Sequence, residues 1–121
     1  MQSSLIATMI NKQKISTFAF PSLNLGTFPS NCYIDDGTRD LDHYHEIPSK
    51  NTAPDSILWC RQYCGSAGFD YAGVQFTKQC FCGNQYGQFG KADDSDCNMI
   101  CKDGINICGG GWRNNVYTSI R

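Results

Sequence analysis

The sequence predicts a small disulfide-rich α+β domain, with a short antiparallel sheet and one main helix stapled to it by disulfides. Three observations carry that prediction. Eight cysteines stand in a chain of 121 residues, all of them from Cys32 onward. The stretch from Thr52 to Gly65 holds the start and stop signals of a helix. The stretch FDYAGVQF at 69–76 alternates and is rich in aromatic and β-branched residues, as a half-buried strand should be. An even, dense set of cysteines in so short a chain reads as four disulfides formed in an oxidising compartment. The folded part spans about 90 residues, a size at which one core is marginal and covalent staples are needed.

Taken in order, residues 1–28 read as a poorly structured N-terminal segment and residues 29–121 as the domain. Secretion calls for a signal peptide, yet the apolar patch Leu5 to Ile10 has no basic residue before it. The second patch, Ile15 to Leu25, is broken by Pro21. The segment is therefore a weak or absent signal, and the chain reads as a fragment of a longer secreted or cell-surface protein. Ser30 to Asp35 is a short strand ended by the turn Asp36-Gly37. Residues 38–53 read as polar and irregular. For the helix, Thr52 or Ala53 is the expected cap, Pro54 suits the first helical position and Asp55 favours the positive end of the dipole. Its spacing puts Ile57, Cys60 and Cys64 on one face, and Gly65 is the expected stop. After the strand at 69–76, Thr77 to Gln79 turns the chain and Cys80-Phe81-Cys82 continues as a second strand. Gly83 to Gly90 is a loop. Asp93 to Cys101 holds a short turn or helix capped by Asp94 or Ser95. Gly109-Gly110-Gly111 leads into a last strand, Trp112 to Ile120.

Cys80 and Cys82 sit two apart on a strand and share a face about 6.6 Å apart. Cys60 and Cys64 sit four apart on a helix and share a face about 6 Å apart. The matched spacings allow two rungs between one helix and one strand. Cys60–Cys80 with Cys64–Cys82 is the natural reading, and the crossed pairing stays open. Zinc is the competitor, but the spacings here are C-x3-C, C-x-C, C-x3-C and C-x6-C, unlike paired zinc knuckles. His43 and His45 lie far from any second knuckle. A redox pair would need C-x-x-C, which does not occur.

The segments CYIDDGTRDL at 32–41, CRQYC at 60–64, FDYAGVQFTKQCFCGN at 69–84, DSDCNMIC at 94–101 and CGGGWRNNVY at 108–117 together resemble the WSC domain. That cysteine-rich module is known from yeast cell-wall stress sensors, Kremen receptors, polycystin-1 and some fungal oxidases and glucanases. Asn31 stands where the family commonly has Gly, and Ile100 where it commonly has Pro. The resemblance implies Cys32–Cys97, Cys60–Cys80, Cys64–Cys82 and Cys101–Cys108. It also implies a carbohydrate-binding role, with polysaccharide or glycan as partner. A protein–protein interaction or structural module of a receptor or sensor ectodomain is the alternative.

Sugar recognition needs flat aromatic faces and planar polar side chains. Two loops supply both: Asn84, Gln85, Tyr86, Gln88 and Phe89 in one, and Trp112, Arg113, Asn114 and Asn115 in the other. Asn84, Tyr86, Phe89, Trp112 and Arg113 are the candidate ligand contacts, with strand packing the competing role for Trp112. Trp59, Tyr33, Phe69, Tyr71 and Phe81 read as core, and Arg39 as a partner of Asp35 or Asp36. The run Asp93, Asp94, Asp96 lacks the glycine and distal Glu of a calcium hand and reads as a solvated cap. His43-x-His45-Glu46 offers too few donors for a designed metal site. No cofactor is implied. A net charge of −1 with no basic stripe argues against nucleic acid. No apolar run approaches the roughly 18 residues needed to span a bilayer. No nucleophile elbow, HExxH or phosphate loop occurs, so the chain reads as non-catalytic.

Overall fold

A computed structural model describes residues 30–121, and the expectations for residues 1–28 lie outside the described residues. The described residues form five strands, one α-helix and a 3₁₀ turn. The strands are β1 (Cys32–Ile34), β2 (His43–Glu46), β3 (Tyr71–Gln75), β4 (Gln79–Gly83) and β5 (Arg113–Thr118). Helix α1 spans Ser56–Ser66, and the 3₁₀ turn spans Asp94–Asp96. The sheet order is β1-β5-β3-β4-β2, with every neighbour antiparallel.

Strand alternation divides the sheet into two faces. Ala72, Val74, Cys80 and Cys82 point to one face, where they are buried with Cys60 and Cys64 of α1. The bridges Cys60–Cys80 and Cys64–Cys82 run between helix and β4, so the parallel pairing is the one adopted. Cys32–Cys97 ties β1 to the 3₁₀ turn, and Cys101–Cys108 closes a short loop. Trp59 and Tyr63 of α1 stack 5.1 Å apart and pack against His45 of β2. Phe69 lies on the same face, against His43.

The second face carries its own small core of Leu41, Phe81 and Val116. The loop 35–42 crosses this face and inserts Leu41 over β3 and β4. Two glycines leave the room: a Cβ on Gly73 would lie 2.7 Å from Leu41 Cδ1, and one on Gly83 2.8 Å from Leu41 Cδ2.

Several boundaries differ from the sequence reading. The helix is capped by Asp55, whose side chain accepts from the Leu58 N–H, and not by Thr52 or Ala53. It runs past Gly65 to Ser66, and the left-handed residue that follows it is Gly68. Gly65 is buried instead because the C-terminal backbone at Ile120 passes directly over it. Residues 43–46 form a strand, not a loop. They pair with β4 along one edge and are exposed throughout, so no burial pattern marks them in sequence. Asp93, rather than Asp94 or Ser95, precedes the 3₁₀ turn as its cap position. Trp112 lies in the turn before the last strand rather than in it.

Candidate functional site

The second face of the sheet is only partly covered. Beyond Leu41 a groove of about 220 Å³ opens between the β3–β4 turn and the turn before β5, lined by Arg39, Gln75, Phe76, Gln79, Gly111 and Trp112. Each wall comes from a different part of the chain.

The turn at 110–113 is closed by two backbone bonds, Gly110 N–H to Arg113 O at 3.0 Å and Arg113 N–H to Gly110 O at 3.3 Å. Trp112 sits in it at φ 57°. Its carbonyl accepts from the Asp35 N–H and from Arg113 Nη1, which fixes the residue while its side chain stays 50% exposed. Arg39 is also left-handed, at φ 67°. Its guanidinium lies 4.8 Å from the Phe81 ring centre and 4.9 Å from that of Trp112, so it joins a buried ring to an exposed one. Nη1 donates to Asp35 at 2.7 Å, and that carboxylate also accepts from the backbone of Asp36 and Asp40. Asp35 is thus the partner of Arg39; Asp36 instead accepts from Thr38, which holds its carboxyl below the usual range. Phe76 and Thr77 make the β3–β4 turn at φ 52° and 69°. The Thr77 N–H donates to Cys108 O, and Thr77 O accepts from the Lys102 N–H.

Left-handed backbone costs an L-residue energy, and it persists where the surroundings over-determine it, commonly at binding sites. Among the described residues four non-glycine residues have positive φ, and three of them, Arg39, Phe76 and Trp112, line this one groove. Between them lies Gln75, whose side chain is buried and whose Oε1 has no hydrogen-bond partner. On the same face a shallower groove continues past Arg39 and Gln79 to Asp42, Tyr44 and Phe81. Burial, with Glu46 adding, pushes the Tyr44 phenol above its usual range, so it stays neutral.

The WSC domain profile matches residues 30–110. The chain belongs to the WSC domain family. Among relatives, a WSC domain-containing protein of Arthroderma benhamiae is 32% identical over 91 residues, covering 74% of this chain and 10% of that protein. Xylosyltransferase oxt of Drosophila pseudoobscura pseudoobscura is 35% identical over 88 residues, covering 71% of this chain and 10% of its own. Human Kremen protein 1 is 35% identical over 79 residues, 60% of this chain and 17% of its own. The chain therefore spans a tenth to a sixth of the length of these relatives, and the likeness concerns the WSC domain alone.

Within this WSC domain the candidate residues named from sequence are spread over several places. Trp112 is in the groove. Arg113 is beside it, but its side chain turns to Asp96, at 3.0 Å, and to the Trp112 carbonyl, so it buttresses the turn. Tyr86 lies on another edge, where its ring packs edge-on against Tyr33 at 5.1 Å and Tyr71 at 4.6 Å. These rings line a separate cleft with Asn31 and Tyr117. Burial, reinforced by Tyr86, raises the Tyr33 phenol above its usual range. Asn84 accepts from the Asp70 N–H at 3.0 Å and fixes the end of β4. Phe89 is half-buried. Asn114 and Asn115 are buried in β5; Asn115 accepts from the Gly109 N–H and donates to Asn31, which gives the residue before Cys32 a structural task.

Arg39, Gln75, Phe76 and Gln79 were absent from the sequence reading of the site. Gln75 and Phe76 end the best strand, and only the long-range β3–β5 register, with Val74 opposite Asn115, brings them beside the turn that holds Trp112. A bulky Phe-Thr pair at a tight turn is the signal available in sequence, since such turns ordinarily use Gly or Asn. Metal chemistry has no purchase on the cysteine cluster. The Sγ atoms of Cys60, Cys64 and Cys80 lie within 4.8 Å of one another, but all three are disulfide-bonded and metal binding needs thiolates.

Proposed function

We propose that this WSC domain is a non-catalytic extracellular module that binds polysaccharide or glycan, and that the groove at Trp112 is its principal contact. The convergence of three left-handed, well-anchored residues on one groove carries this reading. It presents a half-exposed indole, backed by Arg39 and Phe81, beside the planar amides of Gln75 and Gln79. An indole face packs on the apolar side of a pyranose, and amides bond its hydroxyls. The indole is held in place before binding by its anchored turn, which lowers the ordering cost. Arg113 acts by holding the turn, while Tyr86, with Asn84 and Phe89 in the same loop, offers a second aromatic contact at the other edge. Four disulfides support an oxidising, extracellular or cell-surface setting for the module. Among the described residues no helix is long and apolar enough to cross a membrane.

A second reading, a protein-interaction module of a receptor or sensor ectodomain, draws on a different surface. Ile100, Ile105 and Ile107 are exposed in and beside the Cys101–Cys108 loop, Ile105 by 75%. Apolar exposure of that kind is the mark of a protein contact rather than of a sugar site.

The deciding experiment is retention of the oxidised protein on insoluble chitin, β-1,3-glucan, xylan and cellulose, with Trp112→Ala and Tyr86→Ala alongside. Retention on a polymer, lost in folded Trp112→Ala, is expected. Retention that survives Trp112→Ala and fails in Tyr86→Ala moves the site to the tyrosine cleft. No retention on any polymer favours the protein-interaction reading.

A further inference from the structure

Gln75 is the least explained polar group beside the groove. Its residue is 3% exposed, its Oε1 pairs with no group of the protein, and its Nε2 meets only Gln79 Oε1 at 3.5 Å. An uncompensated buried carbonyl destabilises a fold, and native proteins carry few of them. A hydrophobic side chain of the same size would fill the position better unless the oxygen has a use. The last torsion of a Gln side chain is broad and soft, and a 3.5 Å contact restrains it little. A small rotation therefore turns the oxygen toward a ligand.

The charges around it restrict what that ligand can be. Arg39 is the one charged residue lining the groove, and its charge is opposed by Asp35 at 2.7 Å. The continuation of the groove toward Tyr44 adds a carboxylate, Asp42, and no further cation. Nothing there rewards an anion. What the groove lacks is a hydrogen-bond donor for Gln75 Oε1, and what it offers is an apolar indole beside it.

We infer that Gln75 is the specificity-determining acceptor of this groove, taking a hydrogen bond from a hydroxyl or amide N–H of an uncharged sugar stacked on Trp112. The inference rests on the glycan-binding reading and adds the ligand class: neutral pyranosides, to the exclusion of uronate and sulfated glycans. Hydroxyl and N-acetyl amide donors share this chemistry, and the polymers used separate them. Chitin presents both, whereas β-1,3-glucan, xylan and cellulose present hydroxyls alone.

The test measures binding to these four neutral polymers and to polygalacturonate and heparin beads, for the wild type, Gln75→Met and Trp112→Ala. Gln75→Met keeps the volume and removes the oxygen; Gln75→Leu replaces it if that variant does not fold. The wild type is expected on at least one neutral polymer and on neither anionic one. Gln75→Met is expected to bind about tenfold more weakly, the loss of one buried hydrogen bond, while melting no lower than the wild type. If Gln75→Met binds as the wild type does to a polymer that Trp112→Ala fails to hold, the role of Gln75 is wrong and the glycan reading stands. Stronger wild-type retention on the anionic beads overturns the neutral class alone. Absence of wild-type retention on every polymer overturns both readings together.

Discussion

Trp112 and Gly109 show how single backbone conformations set up the groove. Trp112 takes a left-handed φ of 57°, which costs a residue with a Cβ about 1–2 kcal/mol. Its stacking on Arg39 returns about 0.5–1 kcal/mol. Trp112→Gly is therefore expected to melt no lower than the wild type and still to lose polymer retention. A scanning calorimetry trace with a markedly lower midpoint would show that the indole is a packing residue. Gly109 is the opposite case. At φ 60° it is left-handed, and a Cβ there would strike the Arg113 carbonyl and lie 2.6 Å from the Val74 carbonyl. Neither is a flexible side chain. Gly109→Ala should cost at least about 2 kcal/mol, read as a lower denaturation midpoint in urea. At this scale the sequence reading named Trp112 and the glycine run, because aromatic and glycine residues carry visible signals. It paired Arg39 with Asp35 or Asp36 but put neither Arg39 nor Gln75 in the groove, because nothing local tells that a guanidinium will be sandwiched between two rings or that an amide oxygen will be left without a partner.

At the scale of elements, the N-terminus of α1 is fastened to the Cys101–Cys108 loop through Asp103. Its carboxylate accepts from the Ser56 N–H at 2.7 Å, while the Ser56 hydroxyl accepts from the Asp103 N–H. It also accepts from the backbone of Ile105 and Asn106 and from the Asn106 amide. Burial alone would raise its pKa, but these donors outweigh it and hold the carboxyl well below its ordinary 3.8. A depressed folded pKa gives stability that is fully present above the unfolded value and is lost as pH falls through the folded one. The contribution of Asp103 is thus intact above about pH 4 and declines in more acid solution. Asp103→Asn is expected to destabilise the domain by about 2 kcal/mol at neutral pH. Urea midpoints at pH 7 and pH 2 should then differ less in the variant than in the wild type. An unchanged difference would remove Asp103 from the acid response. Element by element, α1, β1, β3, β4 and β5 were legible from spacing, alternation and punctuation, although the cap of α1 was not. Strand β2 was not. HYHE has no buried residue and is held by pairing with β4, by packing both histidines on Phe69, Tyr63 and Trp59, by Tyr44 against Phe81 and by Glu46 with Lys102.

For the whole molecule, the four bridges stand in for the large core that a domain of this size cannot build. Cys32–Cys97 spans a sequence separation of 65, worth roughly 4 kcal/mol on the chain-entropy model. Four bridges together exceed the net stability of an ordinary small domain. Reduction is expected to unfold the protein, seen as loss of the cooperative melt and of near-ultraviolet circular dichroism. A reduced sample that keeps a sharp transition would mean that the two small cores suffice. The sequence by itself determined the class of fold, the even set of cysteines, the helix-to-strand spacing that matches two rungs, and the family pattern that implied all four pairings. The first three are properties of spacing and composition, which the chain carries before it folds; the full set of pairings was what the resemblance implied. The tertiary structure alone decided which residues line the groove. Positive-φ residues from three separate turns meet around Gln75 because loop 35–42 crosses the sheet and the β3–β4 turn faces the turn at 110–113. That meeting depends on long-range pairing and close packing, which no local stretch of sequence encodes.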